Sequence, residues 1–272
     1  MVRKKRWKIR DCSGYLFPGR IILIWTMLIC FSMTMRAQEK DISHSSQQWF
    51  QYYNQLLFSD TWSVLTDAGY RLTDGFTEST QLFIRSGVGY KPHEALRLVL
   101  GVAYIGLFET GDLYKTEFRT YQEATLNEIY GKIETGHRFQ IEQRFFHTPA
   151  REGLPEENSF HYRFRYRFGV AIPLLKLSAL HPDRRLWLNL GDEIALNAGK
   201  EIVHHIFDQN RATIGTVLQW NDRFSVSFTY NHQFKSGEAP DTYEQDHVFW
   251  LGVKHIIDLT GKNASTTERN SG

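Results

Sequence analysis

The sequence is poor in cysteine, since only two of its 272 residues are of that type. Both, Cys12 and Cys30, lie within the first 37 residues, so no thiol follows residue 37. This distribution excludes disulfides and cysteine-based metal sites from the rest of the chain. An exported chain of this kind must be stabilised in another way.

Long apolar runs are also scarce, and the N-terminal region contains the clearest one, from Ile21 to Met33. A strongly basic segment precedes it, and the small residue Ala37 follows it. The run is short for a membrane-spanning helix, which needs roughly 20 apolar residues. We therefore predict a secretory signal peptide over residues 1–37, cleaved after Ala37. Lipidation at Cys30 is disfavoured because the bulky Ile29 precedes it.

The slight positive charge of the whole chain, +2, does not extend past the predicted signal peptide. Eight of the 32 basic side chains and one of the 30 acidic ones lie in residues 1–37, so the remainder carries 24 basic and 29 acidic groups, a net charge of −5. With an acidic mature chain and no basic patch, nucleic-acid binding is not expected. The sequence also has no glycine-rich phosphate-binding loop.

The predicted mature chain shows alternation of apolar and polar residues. Tyr162, Phe164, Tyr166 and Phe168, for example, are separated by Arg163, Arg165 and Arg167. Period-two alternation is typical of β-strands with one apolar and one polar face. It predicts an all-β fold with strands near 48–58, 61–72, 77–90, 94–107, 117–128, 135–147, 159–173, 184–198, 208–220, 222–234 and 244–259. No Gly/Ser linker divides them, so we predict one barrel domain over 48–259, after an N-terminal segment at 38–47 and before a polar tail at 260–272.

The joints between these segments differ in length, which favours an antiparallel up-and-down barrel with two unlike ends. Short turns are expected near 59–60, 73–76 and 221–222. Longer loops are expected at 109–116, 148–158, 176–183, 199–207 and 235–243. An antiparallel barrel closes with an even strand number, so 10 or 12 strands are expected. The strand assignment has its weakest support at 117–134 and 199–207.

The apolar face of such a barrel points either into a soluble core or outward into lipid. The strands are long enough to cross a bilayer, and aromatic residues such as Trp62, Tyr90 and Trp220 lie near the ends of the apolar stripes. The polar faces combine small residues with Arg and Glu, which suits a hydrated or ion-paired lumen. We therefore predict a transmembrane β-barrel in the outer membrane, in contact with its lipid. A soluble periplasmic β-barrel binding protein is the alternative.

Several stretches resemble a bacterial family catalogued as domain of unknown function 2490. They are Arg138–Phe145, Tyr162–Arg167, Asp192–Ile194 and Phe207–Arg211. The resemblance extends from about Gln48 to Leu259 and implies an exported Gram-negative outer-membrane β-barrel without an established activity. Such barrels usually end on an aromatic residue that the barrel-assembly machinery, the expected partner, reads. Here the polar tail follows the last strand instead.

Charged residues on the predicted inner face are the main candidate site. If the apolar residues face lipid, the lumen-facing charged cluster consists of Arg85, Arg97, Arg138, Glu142, Arg144, Arg163, Arg165, Arg167, Glu193 and Arg211, with Asp67, Arg71 and Glu123 also directed inward. One interpretation is a network of ion pairs that stabilises a narrow barrel. The other is a cationic lining that passes or binds anions. The sequence does not indicate which small molecule such a lumen would bind.

Enzymatic and metal sites have weaker support. Ser159 with His161, and His44 with Ser45, are candidate nucleophile and base pairs of a lipid-modifying barrel enzyme, but neither has an orienting acid nearby. His204 and His205 with Asp208 suggest a metal cluster, although adjacent histidines on an extended chain point to opposite faces. We therefore expect no catalytic residue, no cofactor and no metal.

Overall fold

The structure is a computed structural model that describes residues 41–151, 155–202, 205–237 and 239–261. The predicted signal peptide and residues 262–272 of the polar tail lie outside the described residues. Within that part there are eleven strands and no helix, so no helix is long and apolar enough to cross a membrane. The strands are β1 (Asp41–Leu57), β2 (Trp62–Thr73), β3 (Glu78–His93), β4 (Leu96–Glu109), β5 (Asp112–Tyr130), β6 (Ile133–Thr148), β7 (Glu157–Lys176), β8 (Arg185–Ala198), β9 (Phe207–Asn221), β10 (Phe224–Ser236) and β11 (Thr242–Asp258).

The eleven strands form one closed barrel in chain order, with each strand antiparallel to the next. The barrel closes through a parallel pairing of β1 with β11, in register from Asp41 with Thr242 to Leu57 with Asp258. The prediction of an all-β barrel with about 10–12 strands is confirmed. The argument that the number must be even is wrong, because a parallel seam closes an odd number of strands.

Every segment predicted from alternation overlaps one strand of the barrel. The main difference is at the start, where β1 begins at Asp41 and includes most of the predicted N-terminal segment. Residues 41–47 are nearly all polar, so they carry no alternating pattern. They are nevertheless strand residues because the parallel neighbour β11 supplies hydrogen-bond partners along their whole length.

The expected loop at 109–116 is instead a tight turn of two residues between β4 and β5. Thr110 and Gly111 both have positive φ, 49° and 88°, as the tightest hairpin turns require. The polar residues 112–116 therefore extend β5 rather than forming a loop. The long connections 177–184 and 199–206 lie at opposite ends of the barrel. Each end therefore has at least one long loop, and short turns are not confined to one end.

Strand alternation places apolar side chains on the outside of the barrel and most charged ones on the inside. Ile84 and Leu100 are 55% and 64% exposed, whereas Glu142 and Asp246 have no exposed surface. A small apolar cluster does occupy part of the interior, where Phe83 packs with Ala103, Ile105 and Leu107. Fully buried ionised side chains are rare in proteins generally unless they are paired.

Candidate functional site

The centre of the charged interior is Glu142 on β6, which is fully buried. Its carboxylate accepts hydrogen bonds from three arginines on the two neighbouring strands. Arg119 and Arg165 donate through Nη1 at 3.1 Å each, and Arg163 donates through Nε. Such hydrogen-bonded pairing is what makes a buried carboxylate tolerable in an interior with little water.

A second carboxylate, Glu193 on β8, is likewise shared among several arginines. Arg138 and Arg165 each donate an Nη2 hydrogen bond to it, and Nη1 of Arg211 lies 3.7 Å from its Oε1. Arg165 therefore connects Glu193 with Glu142. The network continues across β5, β6, β7, β8 and β9 without interruption.

Two further acids complete the network near the end of the barrel where β1 begins. Glu117 accepts hydrogen bonds from Nε of Arg119 at 2.7 Å and from Nε of Arg144 at 2.8 Å. Asp208 accepts one from Nη1 of Arg163 at 3.0 Å and one from the amide of Asn197 at 3.1 Å. These bonds fix the arginines in place, because each guanidinium is held at more than one point.

Separate pairs lie toward the other end of the barrel. Nε of Arg85 donates to Oδ1 of Asp67 at 2.9 Å, and the amide of Gln51 donates to the same carboxylate. Glu123 is held more loosely, because Nη2 of Arg97 is 3.6 Å away and Nη1 of Arg138 is 3.9 Å away. Both distances exceed those of ordinary hydrogen bonds.

Arg167 is the exception among the ten residues of the predicted lumen-facing cluster. The other nine each form at least one ion pair with a described residue. No hydrogen bond or ion pair joins Arg167 to any residue in the described ranges, although it stands directly opposite Glu193 in the strand register. Glu142 and Glu193, the acids expected beside Arg163, Arg165 and Arg167, thus pair with the first two only.

Sequence reasoning missed three members of the network, Glu117, Arg119 and Asp208. Glu117 and Arg119 follow the same alternation as Glu123 on β5, so the pattern itself contained the signal. Asp208 is different because it breaks the alternation. Ala195 pairs with Gln209 and Leu196 with Phe207, so Asp208 is the extra residue of a β-bulge. A bulge redirects a side chain in a way that strict alternation does not predict.

Two cavities of the interior lie beside these charged residues. The larger, of about 660 Å³, opens at the end that carries the β9–β10 turn, and the smaller, of about 350 Å³, lies toward the opposite end. Six residues line both cavities, and we call them the waist: Tyr53, Arg85, Arg138, Arg167, Thr213 and Trp250. The waist thus contains three arginines and no acid. A solute that passed through the barrel would have to cross it.

Among the enzymatic and metal candidates, Ser45 donates a hydrogen bond to Oδ1 of Asp246 at 2.6 Å. Nε2 of His161 is 3.2 Å from Nη1 of Arg144, and none of its hydrogen bonds to described residues involves a carboxylate. His204 lies outside the described residues, and His205 instead contacts the carbonyl of Ala239 at 3.0 Å. Asp208 is held by Arg163 and Asn197. Nowhere in the described ranges do three or more His, Cys, Asp or Glu side chains come together as metal ligands would.

These features define a closed β-barrel with an apolar exterior and an ion-paired interior. A family model described as a protein of unknown function, DUF2490, matches residues 46–244, and the chain belongs to this family. The chain is also similar to an uncharacterized protein of Methylorubrum extorquens, with 27% identity over 233 residues that cover 83% of this chain and 93% of that protein. No solved structure gives a significant match.

Proposed function

We propose that this protein resides in the outer membrane as a narrow β-barrel whose exterior contacts lipid. One observation carries the proposal, namely that large apolar side chains cover the outside while ionised ones fill the inside. Continuous apolar surface of this extent is unfavourable in water. Strands of 12–20 residues also exceed the 9–11 residues that a tilted strand needs to cross a bilayer.

We further propose that the lumen admits small anions in preference to cations. The support comes from the waist, which contains Arg85, Arg138 and Arg167. Arg85 and Arg138 are paired with Asp67 and Glu193, whereas Arg167 has no ion pair with a described residue. Rings of like charge select ions of the opposite sign in pores. Because ion-paired side chains fill part of the interior, the expected conductance is small.

A structural role in the cell envelope is the second candidate. The observation that favours it is the network around Glu142, Glu193 and Glu117, which connects the five strands β5 to β9 across the interior. Charged groups held in this way stabilise one geometry and obstruct the passage of solutes. A barrel of this kind is silent in conductance measurements.

Planar-bilayer recordings of the purified, folded protein separate the two candidates. Steady currents whose reversal potential in a KCl gradient indicates preference for chloride support the pore. The Arg167→Glu variant should then lose this preference, while Lys132→Glu, which reverses a charge in an exposed turn outside both cavities, should keep it. A silent wild-type barrel that is folded supports the structural role and rejects the pore.

The expectation that the protein is not an enzyme stays a proposal, and it has a direct test. Ser159 and His161 lie on β7 two residues apart, hence on the same face of the strand. Lipid hydrolysis by the purified barrel that is abolished in Ser159→Ala would reject the proposal. Absence of hydrolysis in both proteins supports it.

A further inference from the structure

The larger cavity has more cationic side chains than its acidic residues can pair. Six cations line it, and they are Arg85, Arg97, Arg138, Arg167, Arg223 and Lys254. Four acids line it, and they are Asp67, Glu123, Glu134 and Asp222. Glu134 and Asp222 are exposed, which leaves Asp67 and Glu123 as the inner acids of this lining. Two acids outside the lining also pair with its cations, Glu193 with Arg138 and Asp258 with Arg223.

Those two inner acids are already committed to other partners. Asp67 is held by Arg85 and Gln51, and Glu123 is shared at 3.6 and 3.9 Å by Arg97 and Arg138. Two cations of the cavity are left over. Arg167 and Lys254 form no hydrogen bond or ion pair with any residue in the part of the chain that the structure describes.

The position of Arg167 is suited to a ligand rather than to packing. It lines both cavities at the waist, and Gly191 beside it leaves room, since a Cβ atom there would lie 3.3 Å from Nη2 of Arg167. Its guanidinium nitrogens are not among the sealed, unpaired polar atoms of the interior. A partly buried guanidinium without an acid is costly unless an anion compensates its charge.

The walls around this group provide apolar surface. Tyr121, Trp187 and Ile256 supply apolar lining. A volume of about 660 Å³ falls in the range of small-molecule sites, which combine apolar walls with a few directed polar groups.

We propose that the larger cavity is a binding site for a small oxyanion, a phosphate or carboxylate group, with Arg167 as the residue that binds the charge. Lys254, exposed in the cavity mouth, attracts the anion toward it. The guanidinium offers paired N–H donors that match the oxygens of either group. The inference rests on the proposed function, because an anion reaches the waist only through the lumen.

Isothermal titration calorimetry tests the site. Inorganic phosphate is titrated into the folded barrel in zwitterionic micelles, and the phosphate affinity is measured. Loss of one charge-assisted contact of about 1.5–3 kcal/mol should weaken phosphate binding by at least about tenfold in Arg167→Gln. Arg167→Lys, which keeps the charge but not the paired donors, should bind with intermediate affinity. Lys132→Gln removes one cation from a turn outside the cavity and should bind like the wild type.

Saturable phosphate binding that depends on Arg167 and is unaffected by Lys132→Gln supports the site. No binding, or equal binding by the wild type and Arg167→Gln, overturns it. If Arg167→Gln does not fold, Lys254→Gln provides the same comparison, since its exposed side chain has no structural partner among the described residues. Its phosphate affinity should fall, and an unchanged affinity overturns the site.

Different results reject the proposed pore and the proposed phosphate site. A folded barrel that is silent in bilayers but binds phosphate through Arg167 rejects the pore and retains the site. A barrel with anion-selective currents but no Arg167-dependent phosphate binding retains the pore and rejects the site. Both measurements use the same purified protein.

Discussion

Arg167 on β7 stands directly opposite Glu193 on β8, yet the glutamate is held by three other arginines. Oε2 of Glu193 accepts a hydrogen bond from Arg138, and Oε1 accepts one from Arg165 and lies 3.7 Å from Nη1 of Arg211. The strand register therefore brings Arg167 near an acid that already pairs with three other arginines. This relationship distinguishes the arginines that acids hold from Arg167, which pairs with no described residue and which we propose binds a ligand.

Glu142→Gln should be strongly destabilising, because it removes the charge that compensates three buried arginines. We expect the free energy of unfolding to fall by about 3–5 kcal/mol. Urea unfolding of the barrel in micelles, followed by tryptophan fluorescence, measures it. Glu134→Gln on the same strand is the control, since Glu134 is exposed, and its effect should stay within about 0.5 kcal/mol. Equal effects of the two variants would contradict the assigned network.

Arg163→Gln and Arg167→Gln should have different effects on stability, although both residues lie on the inner face of β7. Arg163 donates to Glu142 and Asp208, so its loss should cost about 1.5–3 kcal/mol of unfolding free energy. Arg167 has no such bond to a described residue, so its replacement should be neutral or stabilising. The same unfolding experiment compares them. An Arg167→Gln variant as unstable as Arg163→Gln would show that Arg167 is a structural residue.

The parallel seam between β1 and β11 can be tested by cross-linking. Ser46 and His247 are register partners on the outer face, so cysteines at both positions should form a disulfide on oxidation. The background is Cys12→Ser, Cys30→Ser, which leaves no other thiol. Moving one cysteine by one residue, to Val248, directs it inward and should prevent the bond. Mass spectrometry of the linked peptides gives the result, and cross-linking of the shifted pair alone would exclude this register.

An arginine on the outer face should be unfavourable only where that face contacts lipid. Ile84 lies near the middle of β3 and is 55% exposed, so Ile84→Arg in phospholipid vesicles should cost about 2–4 kcal/mol of unfolding free energy. Leu180→Arg changes an 88% exposed residue in the β7–β8 loop and serves as the control, with an effect near zero. If Ile84→Arg is as harmless as the control, the outer face does not contact the hydrocarbon.

Much of the fold follows from the sequence because alternation is a local property. The segments from Leu82 to Tyr90 and from Tyr162 to Phe168 reveal their strands without reference to other parts of the chain. Closure is not local. The pairing of β1 with β11 joins residues about 200 positions apart, and the polar start of β1 carries no periodic signal.

The sequence predicts the candidate site only in its local features as well. Alternation identifies the inward arginines, but it does not determine which acid each arginine pairs with. The pairing depends on side chains from different strands that meet at one acid, as at Glu193, and on the bulge that directs Asp208 into the interior. That Arg167 pairs with no described residue is therefore a property of the assembled barrel.

The most direct test of the proposed outer-membrane location is separation of the cell envelope after expression of the full chain. Membranes are resolved on a density gradient and washed at high salt and alkaline pH. We expect the protein to remain with the outer-membrane fraction through both washes, because its apolar outer face is inserted in lipid. Recovery of the protein in the soluble periplasmic fraction would contradict the proposal.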